Sequence, residues 1–171
     1  MFSNQQINLD TLPSIADVDL KPISKQYLKI IIFNRLVFYG IIGFVLFIAK
    51  IKVSHPNFQL IFWYLFSAVL LFCILNLMGA IFAFKKRKYA IRTHDVIYSK
   101  GLLVNSISVI PVSRIQHLEI SRSWLARRFN LGTLKIYTAG DSGIDLRIPG
   151  LKYVEAKQIN DFLSSKINGA D

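Results

Sequence analysis

The sequence predicts a membrane α-helical hairpin followed by a small α+β domain, a bent antiparallel sheet capped by a C-terminal helix. Three observations predict it. Leu60 to Phe84 is a run of 25 residues without a charge, followed at once by Lys85, Lys86, Arg87 and Lys88. After Tyr89 continuous hydrophobicity gives way to short alternating strings. The final segment then switches to a helical period. The chain divides accordingly into an N-terminal tail (1–27), a two-helix hairpin with its basic exit (28–88) and a folded domain (89–171).

The Leu60 to Phe84 run extends roughly 37 Å as a helix, enough to cross a hydrocarbon core of about 30 Å with some tilt. Asn76 is its one strongly polar side chain, and Trp63 and Tyr64 lie near the end opposite the lysines, where amphipathic rings settle at headgroups. A buried helix of a soluble protein is the competing reading. The earlier run, Leu36 to Ala49, has only 14 residues. Extending it back through Ile30 to Phe33 reaches spanning length but includes Asn34 and Arg35. Arg35 can snorkel to a headgroup or meet a partner; a re-entrant or interfacial first helix is the alternative. Lys50 to Gln59, with His55, Pro56 and Asn57, suits a short turn between antiparallel helices.

Basic residues set the expected orientation. Lys21, Lys25, Lys29 and Arg35 precede or open the first helix and four basic residues follow the second, whereas the loop carries only Lys50 and Lys52. Both termini and the folded domain are therefore expected on the cytoplasmic side of a bacterial inner membrane. The N-terminus carries Asp10, Asp17 and Asp19 with no early basic residue, unlike a cleavable signal, so a loose tail is expected there. The single cysteine, Cys73, lies inside the apolar run, which excludes an intrachain disulfide and a thiolate metal site. The net charge is +11, and the 15 basic and 7 acidic residues from Lys85 onward contribute +8. An anionic leaflet attracts such a domain. Nucleic acid would as well, but no zinc finger or basic helix specifies it.

In the domain, Tyr89 to Thr93 and Val96 to Lys100 alternate as strands on either side of His94 and Asp95. Leu103 to Val112 and Ile115 to Ser121 form the next pair, with Pro111 implying an edge or bulge. Arg122 to Asn130 interrupts them with a short helical turn presenting Trp124, Leu125 and Phe129. Thr133 to Thr138 resumes a strand with Leu134 and Ile136 on one face. Residues 139 to 143 form a turn, and Ile144, Leu146 and Ile148 alternate until Pro149 and Gly150 close the strand. Ala156, Ile159, Leu163 and Ile167 then share one helical face. Such a helix buries the inner residues of an open sheet.

Several strings occur in one order: RKYAIRT (residues 87–93), IYSKGLL around Gly101, IPVSRIQHLEI (110–120) and RRFNLGTLKIYTAG (127–140), all after two apolar runs. In that order the chain, over roughly Ile30 to Ile167, resembles the bacterial pleckstrin-homology (YdbS-like) family of small membrane proteins. Asn130 departs from the glycine expected of the family at that place, but asparagine tolerates a left-handed backbone. The resemblance implies a pleckstrin-homology-like domain and, as partners, membrane lipids and a second copy or a related larger membrane protein. The phosphoinositide pattern of such domains puts basic residues around the first strand connection, whereas this chain has His94 and Asp95 there.

No catalytic constellation emerges. His55, His94 and His117 are far apart, and His117 with Glu119 lacks a third ligand, so surface hydrogen bonding is its expected role. GxSxG, GxxxxGK[ST] and HExxH strings are absent, and Asp141, Asp145 and Glu155 read as solvation or capping groups. No enzyme activity, cofactor or metal is expected. Two basic sets motivate binding instead. Lys85, Lys86, Arg87, Lys88 and Arg92 at the membrane exit are candidate lipid contacts, with simple anchoring as their alternative role. Among Arg114, Arg122, Arg127, Arg128, Lys135 and Arg147, the group Trp124, Leu125, Arg127 and Arg128 is the candidate partner contact. The alternative is that Trp124, Leu125 and Phe129 cap the core while the arginines face water. The resulting expectation is a noncatalytic membrane-anchored interaction or scaffold module; the second reading is an anionic-lipid-sensing regulator of envelope stress or export.

Overall fold

Two long helices leave one end of the sheet domain side by side. The computed structural model describes residues 18–53, 55–102, 104–139, 144–167 and 169. Helix α1 (Gln26–Lys52) runs through Asn34 and Arg35 without a break, and α2 (Pro56–Lys85) follows after a short turn. Pro56 at the first turn of α2 gives up a backbone donor that the helix does not use. Gln59 Nε2 donates to the carbonyls of Lys50 (2.9 Å) and Val53 (2.8 Å), satisfying acceptors that the end of α1 leaves open. Lys50 Nζ lies 4.2 Å from the Trp63 ring centroid, which further ties the two helices at this turn.

The helices bury only Ile30, Phe62, Cys73 and Ala80, while Phe38, Phe44, Leu60 and Phe72 are among many large apolar side chains left exposed. A core helix of a soluble protein would be mostly buried. Both helices are long and apolar enough to cross a membrane, which supports a multi-pass membrane topology.

The domain is antiparallel throughout. Strands β1 (Lys21–Pro22), β2 (Lys88–Ile91), β3 (Asp95–Lys100) and β4 (Ser106–Pro111) form one sheet in that order. Strands β5 (Ile115–Ser121), β6 (Leu131–Thr138) and β7 (Ile144–Lys152) form a second. A short helix, α3 (Trp124–Arg128), joins β5 to β6, and α4 (Tyr153–Ile167) closes the domain. Val96, Tyr98 and Ile110 from the first sheet meet Leu134, Ile136 and Ile148 from the second, and Ala156 and Leu163 of α4 complete this core. Hairpin, antiparallel domain and capping helix are as the sequence predicts, with the strands divided into two sheets.

Local differences have physical causes. Within the segment expected as a tail, Lys21 and Pro22 pair with Tyr89 and Lys88, and Ile23 is buried in the core. A two-residue edge strand containing proline leaves no periodic trace in a sequence. Pro149 and Gly150 do not close β7. Pairing with β6 jumps from Gly132↔Leu151 to Leu134↔Ile148, so the two residues occupy a bulge and the strand continues to Lys152. Gly150 has φ +73°, and its carbonyl accepts from Ser24 N at 2.9 Å. Asn130 adopts φ 51°, the left-handed conformation its type tolerates, and its carbonyl accepts from Tyr153 N at 2.9 Å. The Gly140 to Gly143 part of the expected turn, and Leu103, lie outside the described residues.

Candidate functional site

The basic exit is not one cluster. Lys85, Lys86 and Lys88 are exposed around the end of α2. Arg87 is half-buried and turns towards α1, its guanidinium 5.9 Å from the Tyr27 ring centroid. Arg92 is held elsewhere: Nε donates to Asp95 Oδ1 at 2.6 Å and Nη2 to Asp95 Oδ2, a forked ion pair that neutralises it. The β2–β3 connection is pinned by Val112 N donating to the His94 carbonyl at 2.9 Å. The first strand connection thus presents an internally paired arginine instead of a free basic loop.

The second set is split by packing. Ser123 caps α3, its hydroxyl accepting from Ala126 N at 3.2 Å. With that start, Ala126 is buried against Ile30 and Leu131, and Leu125 and Phe129 pack on the same group. Ile30 lies one turn into α1, so α3 rests on the end of the hairpin that joins the domain. Trp124 is 71% exposed, and Arg127 and Arg128 are exposed beside it. Leu125 therefore serves the core, whereas Trp124, Arg127 and Arg128 form an outward face. Of the other basic residues, Arg122 donates to the Leu131 carbonyl at 3.1 Å and stacks 4.0 Å from the Tyr153 centroid.

On the outer surface of β5 and β6, Glu119 accepts from Lys135 Nζ and from the Tyr137 hydroxyl, each at 2.8 Å. The Lys135 hydrogen bond, aided by Tyr137, holds the Glu119 carboxyl below its usual range. His117 packs on Tyr137, with centroids 5.5 Å apart. This is a surface hydrogen-bonding network, and among the described residues no group of three His, Cys, Asp or Glu is placed to hold a metal. Near β1, Lys21 pairs with Glu155 at the start of α4. Burial alone would raise the Glu155 carboxyl, but its hydrogen bond with Lys21 and the proximity of Tyr89 bring it below its usual value. The Tyr89 hydroxyl is buried without a hydrogen bond of good geometry, and burial, followed by the nearby Glu155 charge, pushes it well above the ordinary tyrosine range.

Sequence reasoning missed Tyr27 and Tyr39, and took Asn34 only as a polar interruption of the first run. Together with Arg35, Asn76 and Arg87 these three line a cavity of about 430 Å³ where α1, α2 and the domain meet. Arg35 and Asn76 were legible as polar residues in apolar runs. Their convergence was not.

An antiparallel two-sheet domain closed by a C-terminal helix and carried on an exposed apolar hairpin defines a membrane protein of pleckstrin-homology-like architecture. The family model described as Bacterial PH domain matches residues 37–167, most of the chain, and the chain belongs to that family. It is 29% identical over 102 residues to the UPF0699 transmembrane protein YdbS of Bacillus subtilis (strain 168), covering 60% of this chain and 59% of that protein. The match thus spans less than two thirds of the relative's length. No solved structure matches the chain.

Proposed function

We propose that this chain is a noncatalytic, membrane-anchored interaction module whose domain sits on the cytoplasmic face of the bacterial inner membrane and assembles with a second copy or a related larger membrane protein. The observation that carries this reading is the division of α3. Its Leu125 and Ala126 side is fixed on α1, and its Trp124, Arg127 and Arg128 side is left outward. An exposed tryptophan beside two arginines on a short, well-anchored helix has the composition of an interface hot spot. Crosslinking in native membranes followed by mass measurement should give a reproducible assembly that Trp124→Ala with Arg127→Glu and Arg128→Glu abolishes. A strictly solitary chain would overturn the reading. For orientation, a Lys100→Cys variant in a Cys73→Ser background should be labelled only from the cytoplasmic side.

A second reading, anionic-lipid sensing, is favoured by Lys85, Lys86 and Lys88, which are exposed and enter no ion pair among the described residues. Lysines at this level are attracted to an anionic surface by about 1 kcal/mol each. With the full chain in nanodiscs, hydrogen exchange around residues 85–88 should slow when anionic lipid replaces neutral lipid. Salt should reverse the difference.

A further inference from the structure

The cavity at the junction of hairpin and domain has a composition that simple packing does not require. Among the described residues Arg35, Asn34, Asn76 and Arg87 make no side-chain hydrogen bond or ion pair; Arg87 lies over the Tyr27 ring and close enough to Tyr98 for its charge to act there. Among the described residues no carboxylate lines the cavity. Two guanidinium groups, two amides and two tyrosines therefore converge with no anion among the described residues, a donor-rich arrangement suited to a phosphate group.

Its depth fits a lipid. The helices are about 40 and 45 Å long against a core of about 30 Å, so about 5–7 Å projects at each end. Arg35 and Asn76 then lie about 6–9 Å inside the boundary on the side of the domain, within reach of a snorkelling side chain. Arg87, two residues beyond α2, stands at headgroup level. Unpaired polar groups at such depth are expensive unless something satisfies them.

A second cavity adjoins the first. Tyr39 lines both, and the second, about 290 Å³, runs between α1 and α2 past Gly40, Gly43, Leu70 and Cys73. A Cβ on Gly40 or Gly43 would meet nothing within 4 Å. Gly43 is eight residues beyond Arg35 on α1, about 12 Å deeper into the bilayer. A donor-rich polar end beside an apolar groove that leads inward matches the two halves of a glycerophospholipid.

On the reading that the hairpin crosses the bilayer, we propose that Arg35, Arg87 and Asn76 bind the phosphate of an anionic phospholipid in the leaflet adjoining the domain, with one acyl chain lying along the Gly40–Gly43 groove. The lipid thereby bridges α1, α2 and the domain.

The test uses the full chain in mild detergent, stripped of lipid and titrated with phosphatidylglycerol or phosphatidylcholine under native mass spectrometry. Phosphatidylglycerol should bind preferentially. Arg35→Gln with Arg87→Gln should weaken it by roughly tenfold or more, the loss of two charge-assisted contacts. Arg147→Gln with Lys157→Gln, which removes the same net charge from the outer sheet and α4, should leave binding within about twofold. Gly43→Leu fills the groove without touching the polar cavity and should weaken lipid binding about tenfold. Because it spares the arginines, it also covers the case in which their replacement impairs folding.

Equal losses in the arginine pair and the charge control would overturn the proposal. So would inorganic phosphate binding that Gly43→Leu leaves intact while lipid binding is unaffected, which would assign the cavity to a soluble phosphate. Loss of crosslinked assemblies on Asn76→Leu with unchanged lipid binding would assign these groups to a helix–helix contact and also overturn it. Lipid binding is read on single chains, so it can fail while partner assembly stands, and the reverse.

Discussion

Replacing Gly150 by alanine should show whether hairpin and domain behave as one body. At φ +73° a Cβ on residue 150 would lie 2.6 Å from Tyr27 Cγ and 2.7 Å from Tyr27 Cβ. The second atom is fixed to the α1 backbone, so no rotamer change of the tyrosine removes the clash. The left-handed backbone costs a side-chain-bearing residue about 1–2 kcal/mol, and forcing a methyl into a filled contact adds about 1–3 kcal/mol. Gly150→Ala should therefore destabilise the chain by about 2–5 kcal/mol. Tyr27→Ala removes the ring but not Cβ, so in the double variant part of the steric penalty should disappear while the backbone penalty stays. The two substitutions should then be non-additive by roughly 1 kcal/mol or more, as for residues in contact. Denaturant unfolding of the full chain in mild detergent, followed by circular dichroism, measures both quantities. A Gly150→Ala variant within about 0.5 kcal/mol of the parent, or strictly additive behaviour, would refute the close packing of α1 on the β7 bulge.

Leu163→Ala, at a fully buried position of α4, should cost about 2–5 kcal/mol in the same unfolding experiment. Ser123→Ala removes the cap of α3 and should lose about 0.5–2 kcal/mol, with faster proteolysis at Arg127 and Arg128 as the local readout. Asn130→Gly should be neutral or slightly stabilising and Asn130→Val destabilising by about 1–2 kcal/mol, because φ is 51° there. The folded-state pKa of Glu155 is depressed, so the Lys21–Glu155 pair contributes stability above the unfolded carboxylate pKa and loses it as pH falls through the folded value. With Lys21 largely exposed the contribution is about 0.2–1 kcal/mol, and Glu155→Gln should flatten that part of the stability profile between neutral and acidic pH.

The candidate sites were legible as residue types, and packing decided their roles. Arg92 reads as one more basic residue at the membrane exit until the β2–β3 turn brings Asp95 into a forked pair with it. Trp124, Leu125 and Phe129 read as an amphipathic turn, but only contact with Ile30 of α1 separates the inward Leu125 and Phe129 from the outward Trp124. The β1 segment escaped notice because a two-residue strand is defined by its partner and has no period of its own.

The amino-acid order alone determined that this chain carries two bilayer-length helices, a small antiparallel domain and a closing amphipathic helix. Each of these follows from local patterns: apolar length, unbroken in the second helix and interrupted by Asn34 and Arg35 in the first, alternation at a period of two, and recurrence at every third or fourth residue. Tertiary structure alone decided how the hairpin seats on the domain through Tyr27 and Gly150, and that Arg35, Asn76 and Arg87 share one cavity. The physical reason is that such meetings depend on the pairing of helices and the register of a bulged strand. Those are set by the sum of many weak packing contacts between distant residues, and no short window of sequence contains them.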